Sequence, residues 1–325
     1  MTKINFINKL FFGLLFICLV TSCKTTEQKV KPKAFLVEHP ERFFWEIKNE
    51  TNSVFILGTI HAADNTFYPI EENILKHFDS AEVLVSEIGG KEVFDQLIPL
   101  TTQYMLKSFS LDAKKHLSNF LSEDDISFLY EKLGENDVKT LMSFDPWVLN
   151  FLINQAIIQE AGLQTEQGFD LYFMARAGDK KIQPLESPES QMNILVYGNF
   201  ETQLEVLKTS IKSFKDRKKS IQPLKQMKKF YLNNDKTRLE ELLYELMEIP
   251  EGLDQKTQDY FMDMLLKNRN EKWVKKIIEF LESGKKTFVF AGTAHFLGKD
   301  SVFELMKKIE YLADIEDKLL LKESK

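Results

Sequence analysis

The sequence predicts an α/β fold with a split core sheet, contributed by both ends of the chain, and a large helical insertion between them. Three observations carry this. Gly-Thr-x-His occurs twice, as Gly58-Thr59-Ile60-His61 and Gly292-Thr293-Ala294-His295, and each copy closes an apolar run (Val54 to Leu57 and Phe288 to Ala291). The middle of the chain repeats apolar residues at helical spacing, with few Gly or Pro to interrupt it. Short strand-like runs stand on both sides of that middle. With 13 Gly and 5 His in 325 residues, roughly 0.2 Gly-x-x-His matches are expected by chance. Two matches that share the Thr and the apolar lead-in read as one site. Open α/β sheets build ligand sites in this way, from residues at the carboxyl ends of strands.

The amino terminus reads as a targeting segment. Lys3 and Lys9 supply a positive start, and Leu10 to Val20 is too short to span a bilayer comfortably. Val20-Thr21-Ser22-Cys23 resembles the lipobox of bacterial lipoproteins, which predicts a signal peptide over 1–22 and a lipid on Cys23. Residues 23–40, with Pro32 inside, then read as a flexible tether. The expected location is exported and held at a membrane surface, on the periplasmic or cell-surface side. Cys18 and Cys23 are the two cysteines, so the domain at 41–325 has neither an intrachain disulfide nor a cysteine nucleophile. The formal charge of -6 becomes about -8 once Lys3 and Lys9 are removed, which gives no support for nucleic acid as a partner. The basic run Lys212 to Lys219 reads as a solvated helix face.

Phe43 to Glu46 and Val54 to Leu57 predict two strands around the polar turn Asn49 to Asn52. A helix from about Glu71 to Phe78 and a strand Val83 to Val85, ending in Ser86-Glu87, complete a β-β-α-β opening. The helical insertion is expected over about 94–268. Ser122-Glu123-Asp124-Asp125 starts one helix, Asp145-Pro146 starts another, and Gly168-Phe169-Asp170 leads a third as far as Arg176. Lys181 to Glu186 reads as a strand that ends in a carboxylate. A helix from about Arg269 to Ser283 stops at Gly284, the strand Thr287 to Phe290 follows, and a last helix begins after Asp300-Ser301.

His61 and His295 are the first candidates for chemistry, because neutral imidazole is the commonest protein ligand for borderline divalent ions. The preceding Gly58 and Gly292 allow a sharp turn or the close approach of a ligand. Glu87 stands where a third ligand or a general base is needed, and a buried strand-end carboxylate is costly unless paired or bound to metal. Glu186 occupies the equivalent place after its own strand. Arg269 either stabilises negative charge or makes an ordinary ion pair. Asp64 either orients the loop after His61 or caps its turn. The sequence contains no Gly-x-Ser-x-Gly elbow, no phosphate-binding loop and no His-Glu-x-x-His helix.

These motifs, in this order, resemble the TraB/PrgY/GumN family and its Tiki metalloprotease relatives. Leu57-Gly58-Thr59-Ile60-His61 with Asp64 and Tyr68-Pro69 matches the family's opening pattern. Val83 to Glu87, Gly168-Phe169-Asp170, Leu185-Glu186-Ser187, Arg269-Asn270 with Trp273, and Gly292 to Gly298 follow. Phe296 stands where many members have Leu. The resemblance covers nearly all of the domain and implies a fold shared with erythromycin-esterase-like and haem-binding ChaN-like proteins. It implies a divalent-metal peptidase that uses the paired histidines and a Glu.

The expectation is therefore a lipid-anchored, metal-dependent hydrolase, most simply a peptidase acting on a peptide or protein substrate. His61, His295 and Glu87 would hold a divalent transition metal; two imidazoles and a carboxylate permit Mn, Co or Zn. Glu186 or Glu87 would move the proton, and Arg269 would stabilise developing charge. The rival expectation is a surface lipoprotein that binds haem, a metal or a peptide without turnover.

Overall fold

The structure is a computed structural model that describes residues 33–247 and 255–316. The expected signal peptide and Cys23 lie outside the described residues. Strands β1 (Ala34–Glu38), β2 (Phe44–Lys48) and β3 (Ser53–Thr59) open the domain, followed by helix α1 (Glu72–Asp79) and strand β4 (Val83–Ser86). Helices α2 (Lys91–Ser108), α3 (Glu123–Leu133), α4 (Glu135–Leu141) and α5 (Pro146–Glu160) come next, then α6 (Phe169–Ala177) and strand β5 (Ile182–Pro184). A second helical run holds α7 (Pro188–Leu195), α8 (Phe200–Lys215) and α9 (Arg217–Leu232). It continues through α10 (Lys236–Met247), α11 (Gln255–Met262) and α12 (Asn268–Glu282). Strand β6 (Thr287–Gly292), helix α13 (Val302–Lys308) and strand β7 (Leu312–Asp314) are the last described elements.

Among the described residues, seven strands form one mixed sheet in the order β5-β4-β6-β3-β2-β1-β7. Strands β5, β4, β6 and β3 are parallel neighbours, whereas β2 is antiparallel to both β3 and β1. Four carboxyl ends therefore share one edge of the sheet, and the segments leaving them carry His61, Glu87, Glu186 and His295. Every residue of β6 is buried, as are Val54 to Thr59 of β3. Strands this apolar need cover on both faces. Phe78 of α1 and Phe173 of α6 supply part of it, against Phe288 and Phe290. In α12 the residues Trp273, Ile277 and Leu281, four apart, face inward.

The helical insertion has a core of its own, built from Leu129, Val138, Leu149, Leu207 and Phe214 among others. Ser122 caps α3 by accepting the Asp125 N–H, and Gly284 leaves α12 at φ +72°.

Two expectations need correction. The tether does not reach residue 40, because β1 occupies Ala34–Glu38 and pairs with both β2 and β7. The stretch 94–268 is not one uninterrupted insertion: α6 and β5, inside it, belong to the sheet layer. Before α12 the chain takes a π-helical turn at Asp263–Lys267 that apolar spacing does not reveal. Among the described residues no helix is long and apolar enough to cross a membrane.

Candidate functional site

The two Gly-Thr-x-His motifs lie side by side. In the parallel β3/β6 pair, Gly58 stands opposite Ala291 and Thr59 opposite Gly292. The Thr293 hydroxyl donates to the Thr59 carbonyl at 2.7 Å, fastening the two strand ends together. The glycines do different work. A Cβ on Gly58 would meet Thr293 Oγ1 at 2.9 Å, so this glycine permits the close approach of the two motifs. A Cβ on Gly292 would meet Glu87 Oε1 at 2.9 Å and His61 Nε2 at 3.1 Å, so that glycine borders the functional groups themselves.

His61 is held from behind. Asp170, at the start of α6, takes its Nδ1 at 2.8 Å through Oδ2, and its Oδ1 accepts the Thr59 hydroxyl at 2.8 Å. The Asp170 charge pushes the His61 pKa up to about 9. Burial opposes the charge on Asp170, but the His61 imidazolium and the two hydrogen bonds outweigh it and hold the carboxyl below its usual range. An ionised Asp170 only accepts, so Nδ1 carries the proton and Nε2 faces the cleft. The loop is fixed by the backbone as well. Phe169 N–H donates to the Ile60 carbonyl at 2.9 Å, and Ala63 and Gln164 exchange two bonds. Gly168 is required here, since a Cβ would lie 2.2 Å from the His61 carbonyl oxygen.

His295 has the opposite character. It is 3% exposed, and burial drives its pKa down to about 3. Its Nδ1 meets Asn270 Oδ1, and Asn270 Nδ2 donates to the Asp300 carbonyl at 2.8 Å. A carbonyl can only accept, which fixes the amide orientation and places the His295 proton on Nδ1. Trp273 covers the ring, with centroids 3.9 Å apart. The result is a neutral imidazole with its lone pair on Nε2.

Three groups from separate elements meet at the carboxylates. Glu87 Oε1 accepts the Gly292 N–H at 2.7 Å, and Oε2 accepts from Arg269 at 2.8 Å and from Gln191 at 3.2 Å. Glu186 takes the other side of the same guanidinium, with Arg269 Nε at 3.0 Å from Oε2. Backbone pairing continues past β5 to bring them together: Glu186 N–H donates to the Glu87 carbonyl at 2.8 Å. Burial disfavours the Glu87 charge, but the His61 imidazolium and the Arg269 guanidinium outweigh it and hold its pKa below the ordinary value. Burial pushes Glu186 up, and the hydrogen bonds and charge of Arg269 only partly offset this. Two neighbouring carboxyls pushed in opposite directions are a general arrangement for acid–base work.

The predicted residues His61, Glu87, Glu186, Arg269 and Gly292 therefore meet at one sheet edge, with His295 on the adjoining turn. Asp64 serves its own turn, capping it at Thr66 and pairing with Lys228. Gly58 serves strand packing, and Cys23 lies outside the described residues. Asp170, Asn270, Gln191 and Thr59 were not anticipated as site residues. Asp170 and Asn270 stand inside motifs visible in the sequence, but which ring each one would hold depends on the fold.

His61 Nε2 lies 3.9 Å from Glu87 Oε1. Both imidazoles have Nδ1 tied, which leaves Nε2 as the position for a metal; on His295 it is a free lone pair, whereas on His61 an ion would first have to displace the Nε2 proton. Among the described residues, however, no three His, Cys, Asp or Glu side chains converge closely enough to hold an ion as they stand.

A family model for the TraB/PrgY/gumN family matches residues 43–314. The chain belongs to the TraB/PrgY/gumN family. This family member is similar to an uncharacterized protein of Treponema pallidum (strain Nichols), 29% identical over 300 residues, which span 91% of this chain and 88% of that one. No solved structure matches it.

Proposed function

We propose that this TraB/PrgY/gumN family member is a metal-dependent hydrolase that cleaves peptide bonds. The observation that carries the reading is the 3.9 Å gap between His61 Nε2 and Glu87 Oε1, bordered by a glycine whose missing side chain leaves the space open. His61, His295 and Glu87 would hold the ion. A divalent metal (Mn, Co or Zn) supplies polarisation of the substrate carbonyl and acidifies water.

The chain's own groups supply the rest. Asp170 and Asn270 fix the ring orientations of the two histidines. Glu186, whose pKa burial raises above its ordinary value, or Glu87 beside it, takes a proton from the attacking water. The water oxygen joins the carbonyl carbon, the C–N bond breaks, and the proton passes to the leaving amine. Arg269 balances the negative charge that develops next to two carboxylates. The likeness to erythromycin-esterase and ChaN-like folds belongs to the same proposal.

The test is metal content and cleavage, measured on the purified domain beside a His61→Ala/His295→Ala variant. About one ion per chain, lost in the variant, is expected under the two-histidine assignment. Full metal retention by the variant would remove it. A second reading draws on the engagement of both Glu87 oxygens, by Gly292 N–H and by Arg269: a protein that captures haem, a metal or a peptide without turnover. A Soret band on the purified protein, with no cleavage of any peptide, would favour it.

The proposal includes export and anchoring through a lipid on Cys23. Palmitate labelling that disappears in Cys23→Ala would support the anchor, and labelling that persists would reject it.

A further inference from the structure

Two cavities share His61 and no other lining residue among those described. The first is about 210 Å³ and is walled by Ile158, Leu224, Met227, Leu239, Leu243 and Ala294, with Gly292 beside His61 at its rim. The second is about 350 Å³ and combines an apolar wall of Ile88, Phe94, Leu97 and Met174 with the polar groups of Glu87 and Gln191.

The smaller cavity has little to offer a polar ligand. Its Tyr231 hydroxyl is already committed, donating to the Gly58 carbonyl at 2.7 Å. Thr293 is likewise committed to the Thr59 carbonyl. The remaining surface rewards only an apolar group, because a polar one would lose its water without gaining a partner. Size narrows the choice further. An apolar cavity of about 150 Å³ accepts benzene, so this space admits a phenyl, an indole or a branched aliphatic group. A long acyl chain exceeds it.

Position gives the cavity a role. Its rim is His61, so a group seated there is attached close to the reacting atoms. Beyond His61 come the hydrogen-bonding groups of Glu87 and Gln191, and then a second apolar wall. Apolar, polar, apolar is the pattern of a peptide in which side chains flank a backbone amide.

We propose that the substrate is a peptide with a compact aromatic or branched aliphatic side chain next to the scissile bond, seated in the cavity walled by Met227 and Leu243. The flanking residue on the other side packs on Phe94 and Leu97. This rests on the hydrolase reading for the bond broken, and on the cavity alone for the side chain bound.

The test separates the two. Toluene and indole are titrated into the full folded domain and followed by NMR, with no metal and no turnover required. Saturable binding in the wild type, lost in both Met227→Trp and Leu243→Trp, is expected. The two substitutions fill the cavity from different helices, so if one fails to fold the other decides. No saturable binding in the wild type, or unchanged binding in a folded filled variant, would overturn the proposal. So would displacement of toluene by palmitate but not by N-acetyl-phenylalanine amide. In cleavage assays, replacing Phe by Gly beside the scissile bond should lower kcat/KM by roughly 100-fold or more. Cleavage indifferent to that residue rejects the subsite and leaves the hydrolase standing. Toluene capture without cleavage of any peptide rejects the hydrolase and leaves the subsite.

Discussion

Asp170 Oδ2 lies 2.8 Å from His61 Nδ1, and this contact between α6 and the end of β3 determines what His61 can do. It fixes the proton on Nδ1 and raises the ring's pKa from 6.5 to about 9. The first prediction concerns that charge. In the metal-free protein, Asp170→Asn should bring the His61 pKa down towards its ordinary value, as read from imidazole NMR shifts. The sign of the stability effect follows. A histidine with a raised folded-state pKa contributes stability that is fully present below 6.5 and is lost as pH rises through about 9. Denaturant midpoints measured across that window should fall in the wild type and change less in the variant. Equal slopes would show that Asp170 does not charge His61.

A second prediction concerns Asn270, which is fully buried and joins His295 Nδ1 to the Asp300 carbonyl. Asn270→Ala leaves both partners unpaired in a dry site. Each unsatisfied buried group costs about 1–3 kcal/mol. Urea unfolding should show a loss within that range or somewhat above it. A loss below the range would mean that water replaces the amide.

The sequence makes the sheet edge legible because the same local pattern, an apolar run ending in Gly-Thr-x-His, occurs twice, and because strand ends carry Glu87 and Glu186. Alternation and apolar runs report which residues are buried, and that suffices for β3, β4 and β6. They do not report strand order, so neither the adjacency of the two motifs nor the union of Glu87 with Glu186 is visible beforehand. Strand β1 was hidden because it sits at the sheet margin and is only partly buried beyond Ala34, so its pattern resembles that of a tether. The holders of the two rings were hidden for another reason. Asp170 reaches back 109 positions to His61 and Asn270 reaches forward 25 to His295, and no periodicity encodes such contacts.

Arg269 gives the third prediction. It is the shared partner of Glu87 and Glu186, and all three side chains are at most 13% exposed. Removing one member of a buried ionic cluster costs about 3–5 kcal/mol, because the remaining charges stay buried without compensation. Arg269→Ala should lose stability on that scale at neutral pH, and Glu186, already raised by burial, should then titrate still further above its ordinary value, with Glu87 rising beside it. Groups with raised folded-state pKa values stabilise most at low pH and lose that contribution as pH rises. The deficit of the variant should therefore shrink near pH 5 and grow towards pH 8. A deficit independent of pH would indicate lost packing on Trp273, over which the guanidinium lies at 5.2 Å, instead of lost charge balance.

The last prediction compares two glycines. Gly292 has φ -50°, so an alanine there meets no backbone strain, and the whole effect of its methyl is steric. That methyl would stand 2.9 Å from Glu87 Oε1 and 3.1 Å from His61 Nε2, inside the space assigned to the ion. Glu87 can yield at its carboxylate end, so Gly292→Ala should keep most of its stability while losing metal and cleavage. Gly168 also has an ordinary φ, of -62°. Its added Cβ would instead lie 2.2 Å from the His61 carbonyl oxygen, a backbone atom locked in the loop. Overpacking of that kind costs about 1–3 kcal/mol, occasionally more. Gly168→Ala should accordingly show a clear fall in Tm, together with a displaced His61. Thermal melts and metal titrations on the pair decide the matter. If Gly292→Ala binds metal as the wild type does, the space between His61 and Glu87 is not where the ion sits.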